Sequence, residues 1–355
     1  MPLQVCVVKW TPSPGLAGDI ATEVRALGCD VDLVLPAEIP DVADLVLTFA
    51  PWGRMLAVSN RLAELAQRHT PPKLIHWNLE NPPDLAIPWP ILAYLSQLRL
   101  RFDRLHDIQH AVVQRWLAAP PLRWFDQRMT KFRYLGEYYE IHRRGWLHHL
   151  AETSLLFTDF HRRHGLPTEY VPWGTAPSWH RSLELDRDID VIWLGKRRTR
   201  RRSQVIEAVR QELCARGYTM LVVDGVEHPL VYGDELSHLL NRAKIALHVN
   251  MHWYDNSFHM RFHMVAGNRP LMIAEQPPPH YREYVHGVHY VACAAEELVE
   301  SILYYLAHTP ARLAIVEQAY LLVTGEMQLR NSVARLLSLA ETVSDTPVAQ
   351  RKLAP

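Results

Sequence analysis

Several absences narrow the reading at once. The 355 residues contain only 4 cysteines, Cys6, Cys29, Cys214 and Cys293, far apart in the chain and with no CxxC pair. Their mostly apolar neighbours predict buried, reduced thiols and a cytoplasmic setting. Neither sign of charge dominates: Lys+Arg and Asp+Glu are both 38. Any electrostatic function must therefore come from local clustering. No uncharged apolar run approaches the ~18 residues of a membrane span. The first residues, MPLQVCVVKW, lack the charged start and long apolar run of a signal peptide, so none is expected. There is no short internal repeat and no low-complexity tract.

What remains is an ordinary globular composition, 48% hydrophobic and 21% charged, with a length that favours two domains. Short apolar, β-branched runs at 5–8, 31–35, 44–49 and 73–77 alternate with amphipathic stretches. That alternation predicts a parallel α/β sheet. Asp19 is the expected cap of the helix that follows the first strand. Residues 91–150 interrupt the pattern with leucines and aromatics at helical spacing, which predicts a helical insertion at about 90–150. Alternation resumes at 154–158 and reaches Tyr170–Gly174. A polar stretch, 175–187, reads as a linker. A second alternating unit follows, with strands at 189–194, 219–223, 244–249, 270–273 and 289–292. Its helices are expected at 203–216, 235–242 and 258–266, with more helix over 295–342.

Open α/β sheets bind ligands beyond the carboxyl ends of their strands, so the polar residues just after each strand are the first candidates. Strand 189–194 ends in Gly195, then Lys196, Arg197, Arg198, Thr199, Arg200, Arg201 and Arg202, with Ser203 opening the expected helix. Backbone N–H groups, a helix dipole and guanidinium forks pointing the same way would hold an anion. Taken alone, the run fits a phosphate pocket, a solvated basic surface or a nucleic-acid patch. Six cations exceed what one diphosphate needs.

A second stretch reads Ser257-Phe258-His259-Met260-Arg261-Phe262-His263. Helical spacing puts His259 and His263 on one face. A zinc hydrolase would need Glu beside the first histidine. Met260 stands there, and Arg261 opposes a dication, so no metal is expected. The stretch reads instead either as a pair of structural histidines, one of them buried, or as a helix whose first turn, near Ser257, meets a ligand. A third cluster, from Lys73 to Pro83, follows strand 73–77. Glu80 and His76 are candidate general bases there, with Asp19 a third. A fourth feature is the loop holding Gly15 and Gly18, where backbone can approach an acceptor closely.

Further along come Arg261-Phe262-His263-Met264-Val265-Ala266-Gly267, then Arg269-Pro270-Leu271-Met272-Ile273. Tyr284 to Tyr290 and Glu296-Glu297-Leu298 with Ile302, Tyr304 and Tyr305 follow. Over about 154–340 the chain resembles the glycosyltransferases of the GT-B fold, and most closely the CgeB-type group. The resemblance implies two Rossmann-like domains facing across a cleft. The first, 1–174, would bind the acceptor. The second, 188–325, would bind a nucleotide-sugar donor, and a terminal helix and tail, 326–355, would return to the first. It implies sugar transfer to an acceptor hydroxyl with no cofactor and no metal. Gly195, Lys196, Arg197, Arg201, Ser257, His259, Arg261 and His263 would form the donor set. Where the family usually places Glu, this chain has His263. Two alternatives stay open: a glycosyltransferase that modifies nucleic acid, and a non-catalytic protein binding nucleotide or nucleic acid. The sugar, the acceptor and the oligomeric state are not specified by these motifs.

Overall fold

The computed structural model describes residues 2–13, 15–49, 55–81, 83–106, 108, 110–276 and 280–341. Pro14, Pro82 and residues 342–355, which touch the expected acceptor loop, the Glu80 loop and the expected tail, lie outside these. The chain divides into two units: residues 1–171 with 334–355, and residues 172–333.

The first unit holds a six-stranded parallel sheet. Its strands are β1 (Gln4–Val8), β2 (Asp30–Val34), β3 (Leu45–Phe49), β4 (Lys73–Asn78), β5 (Leu147–Glu152) and β6 (Thr168–Tyr170), in the order β2-β1-β3-β4-β5-β6. The second unit holds a five-stranded parallel sheet of β7 (Ile189–Leu194), β8 (Met220–Val223), β9 (Ala243–His248), β10 (Leu271–Glu275) and β11 (Val291–Cys293), in the order β11-β10-β9-β7-β8. Side-chain alternation explains why these runs are almost wholly apolar. On β7, Ile192 enters the core on one face, while Val191 and Trp193 enter the core on the other. Met272 and Ala274 part from Leu271 and Ile273 in the same way on β10. A sheet covered on both faces has no solvent side to make polar.

Three local expectations are corrected. The first helix runs Gly15–Ala26, so Gly18 and Asp19 sit inside it and Asp19 is not its cap. Gly15 begins that helix with φ +44°, a conformation glycine tolerates. The insertion is helical, with helices Trp89–His106, Ala111–Leu117, Pro120–Arg128 and Thr130–Arg143. It stops short of 150, because β5 occupies 147–152. Two adjacent histidines between Leu147 and Leu150 hide that strand from a reading by alternation. Consequently 154–158 is not a strand: Leu155–Arg163 is a helix that buries Phe157, Thr158 and His161. Finally, the basic helix begins at Arg200, not Ser203, and Thr199 caps it by accepting from Arg202 N.

Residues 175–187 pack onto the second unit. Thr175 exchanges backbone hydrogen bonds with Met327 and Leu329. Gly174 permits that approach, since a β-carbon there would stand 2.6 Å from the Gln328 carbonyl. Of the four cysteines only Cys6 is buried; Cys214 is exposed, and all four are free. No described helix is long and apolar enough to cross a membrane.

Candidate donor site and the cations around it

In the second unit residues of β7, β8, β9 and β10 line a cavity of about 280 Å³. Ile192, Val223, Ala246, Met264 and Met272 make its walls apolar. Gly195, Lys196 and Arg261 bring backbone and charge to it, and Tyr232 stands on its rim with 73% of its surface exposed. The helix Phe258–Gly267 contributes Arg261, Met264 and Val265.

Gly195 takes φ +119°, which side-chain-bearing residues avoid. Its α-carbon faces the guanidinium of Arg261 so closely that a β-carbon would lie 2.5 Å from Nη2. Arg261 in turn shares a hydrogen bond with His248 Nδ1 at 3.2 Å. Burial, then the nearby Arg202, lowers the Arg261 pKa to about 10, so it remains a cation at neutral pH. Burial pushes His248 down to about 3, with Arg261 adding to it; His248 is neutral and its Nδ1 accepts. No carboxylate forms an ion pair with Arg261 among the described residues.

Beside it, Arg202 is fully buried. It donates Nε and Nη2 to the Val249 carbonyl at 2.8 and 2.5 Å. Asp255 lies 3.6 Å from Arg202 and accepts from the N–H groups of Met251 (2.7 Å) and Ser257 (2.9 Å). Burial alone would raise the Asp255 pKa, but the neighbouring His248 imidazole and these N–H donors outweigh it and hold the carboxyl below its usual range. One buried carboxylate thus stands near a buried guanidinium, Arg202, and a half-buried one, Arg261.

The other predicted donor residues are placed differently. Arg197 turns away to carboxylates: Nε bonds Asp224 at 2.9 Å, Nη2 meets Glu227, and Glu207 lies 3.7 Å off. Arg201 is clamped bidentately by Glu275. Lys196, Arg198 and Arg200 are exposed and make no ion pair among the described residues. Ser257 stands at the N-terminus of helix Phe258–Gly267 without capping it by its side chain. His259 is buried, and burial holds its pKa near 4.

His263 points inward. Its Nδ1 meets Thr175 Oγ1 and its Nε2 meets Tyr284 OH at 2.8 Å. Both ring nitrogens are spent, so His263 has no atom left for a metal or a ribose. Among the described residues no group of three His, Cys, Asp or Glu side chains could hold a metal ion.

The first unit gathers its polar residues where β4 and β5 end. His76 is fully buried between Thr48 Oγ1 (2.9 Å) and Tyr138 OH (3.3 Å), and burial drops its pKa to about 3. That burial removes it as a base able to reach a substrate. Asn78 donates to both oxygens of the buried Glu152 (2.9 and 3.1 Å), whose pKa burial raises. His161 Nε2 lies 3.3 Å from the same carboxylate. The reading of the sequence missed Glu152 and His161, because the strand and helix that carry them were misplaced. A small cavity of about 10 Å³, room for roughly one water, is lined by Asn78, Glu80, Asn81, Tyr134, Tyr138 and His161. Of the three candidate bases, only Glu80 is partly exposed and lines a cavity at the strand ends. Gly15, Gly18 and Asp19 sit on the helix after β1.

Residues 197–338 match the family described as glycosyl transferase-like. No curated protein matches the chain by sequence. Among solved structures, Anabaena Alr3699/HepE in complex with UDP and glucose superposes with TM-score 0.59 at 9% identity, over 96% of this chain and 100% of that one. Sucrose-phosphate synthase from Thermosynechococcus elongatus gives 0.58 at 11%, over 96% and 98%. WaaG, a glycosyltransferase involved in lipopolysaccharide biosynthesis, gives 0.55 at 14%, over 96% and 100%. At such identities the likeness is one of fold, and the fold is GT-B. Residues 197–338 are thus glycosyl transferase-like, within a chain whose fold is that of GT-B transferases.

Proposed function

We propose that the protein transfers a sugar from a nucleoside-diphosphate sugar to an acceptor hydroxyl, without a metal. The observation that carries this reading is Arg261: a half-buried cation, hydrogen-bonded to the neutral His248 and in no direct ion pair among the described residues, lining an apolar cavity at the strand ends. A cation that no carboxylate contacts directly, at the edge of an apolar cavity, is poised for an anionic ligand. The exposed Lys196, Arg198 and Arg200 extend the positive field. The apolar walls and Tyr232 suit the flat face of a base. HepE, one of the structures of like fold, was crystallised with UDP and glucose.

In this reading the diphosphate meets Arg261 and the Gly195 backbone, and both stabilise the charge that develops as the sugar leaves. Arg197 and Arg201 hold the surrounding loops through their carboxylates. The first unit takes the acceptor, with Glu80 as the base that removes its proton. The finer kinship with the CgeB-type group rests on the run from Arg261 to Gly267 and on Glu296-Glu297-Leu298. Four free cysteines suit a reducing, cytoplasmic setting.

The test is a thermal-shift series with UDP, GDP and ADP and their glucose conjugates. A ligand at a hundredfold excess over its Kd adds about 2.7 kcal/mol of stability. One nucleotide is expected to raise the melting temperature in the native chain and not in Arg261→Ala. Should no nucleotide shift it at millimolar concentration, the donor site is wrongly assigned.

A further inference from the structure

The helical insertion carries an unusual surface. Seven of the seventeen exposed large apolar side chains among the described residues fall between positions 91 and 124. On helix Trp89–His106, Ile91 (50% exposed), Tyr94 (67%) and Leu98 lie at i, i+3 and i+7, and the exposed Arg101 continues the same stripe at i+10. On helix Ala111–Leu117, Val112 and Trp116 share a face with the exposed Arg115. Residues 89–146 hold ten Lys and Arg against five Asp and Glu, a net +5 in a chain of net zero.

The four acids of this region that lie among the described residues are spent internally. Asp103 and Asp126 both pair with the buried Arg99. Glu140 binds Arg143 and Arg144, and Glu137 accepts from Met55 N. Arg101, Arg115 and Arg123 remain exposed with no ion pair among the described residues. The surface therefore offers aliphatic and aromatic side chains in rows, edged by uncompensated guanidinium groups.

We infer that this face of the insertion docks on an anionic lipid bilayer, lying in the interface without crossing it. Aromatic and aliphatic side chains of an amphipathic helix bury at the headgroup boundary, and neighbouring cations meet the lipid phosphates. Charge complementarity selects an anionic surface. The aliphatic rows of Ile91, Leu98 and Val112 favour a bilayer over nucleic acid, which rewards cations and stacked aromatics but not exposed aliphatic rows. This inference stands apart from the donor site, because its readout is vesicle binding.

The experiment is co-sedimentation of the full chain with vesicles of pure phosphatidylcholine and of phosphatidylcholine with phosphatidylglycerol. The chain is expected to pellet with the anionic vesicles only, and less so as salt rises. The triple variant R101E, R115E and R123E should weaken that partition about a hundredfold. The pair Tyr94→Ser and Trp116→Ser, both on exposed positions, should weaken it about tenfold or more while the melting temperature holds. Absence of pelleting at low salt overturns the proposal. So does full binding by the Tyr94/Trp116 variant, which would leave only nonspecific charge. A dimer by equilibrium sedimentation that these variants dissolve would assign the face to a second copy instead.

Discussion

Gly195 and Arg261 are fitted to one another: the space where a side chain on residue 195 would begin is taken by the Arg261 guanidinium, 2.5 Å from the ideal β-carbon position. Gly195→Ala must therefore displace Arg261 and strain a φ of +119°. A positive-φ strain of this kind costs on the order of 1–3 kcal/mol. The expected outcome is a lower melting temperature together with a lost nucleotide response. A variant that keeps the full response would separate Gly195 from the donor site.

Arg261 and Arg197 should behave oppositely, although both belong to sequence runs that read as donor-binding. Arg261→Ala is expected to remove the nucleotide-induced shift. Arg197→Ala should retain it, at a stability cost of about 1 kcal/mol for its partly exposed ion pairs. Isothermal titration of each variant with the nucleotide identified by thermal shift checks this. Equal losses in both would place Arg197 on the ligand.

Asp255 is a buried carboxylate 3.6 Å from Arg202. Asp255→Asn keeps the shape but takes the nearest anion from the fully buried Arg202. Breaking a buried charge pair costs roughly 3–5 kcal/mol. Urea denaturation should show a loss of that order. A loss under about 1 kcal/mol would mean that water already screens the pair.

Acid should destabilise the fold well above the carboxylate range. Burial lowers the pKa of His76 and His248 to about 3 and of His259 to about 4, and lowers that of His263 as well. The unfolded chain takes up these protons near pH 6.5 while the folded chain refuses them. Stability is therefore complete above about 6.5 and falls as the pH drops from there toward about 3. Each histidine contributes up to about 1.4 kcal/mol per pH unit inside that window. Melting temperatures measured from pH 7.5 to 4.5 should fall throughout, and His263→Gln should flatten the slope. A flat profile down to pH 5 would show that these imidazoles are not buried neutral.

Glu80→Gln tests the acceptor side. A general base contributes about 10²–10⁴-fold, so kcat for sugar transfer should fall by at least a hundredfold while nucleotide binding is unchanged. Unaltered kcat would move the base elsewhere.

Both sheets, nearly every strand of the second unit and the glycine-and-cation ending of β7 could be read from the chain. Those features are written in contiguous runs: a strand buried on both faces must be apolar throughout, whatever surrounds it. The strand Leu147–Glu152 escaped because buried polar partners replace apolar ones there. Glu152 is tolerable in the core only through Asn78, which lies 74 positions away, and through His161. The cysteines show the same limit: the neighbours of Cys214 look apolar, yet its helix turns it to solvent.

The sequence by itself determined a two-part α/β protein with a cationic strand end, because hydrophobic periodicity and local composition carry that information. Only the tertiary structure decided which cations are free. Arg197 finds Asp224 across 27 positions, Arg201 finds Glu275 across 74, and His263 finds Thr175 across 88. A charge becomes a ligand site when folding denies it a partner, and no local run of residues records which partners folding will supply.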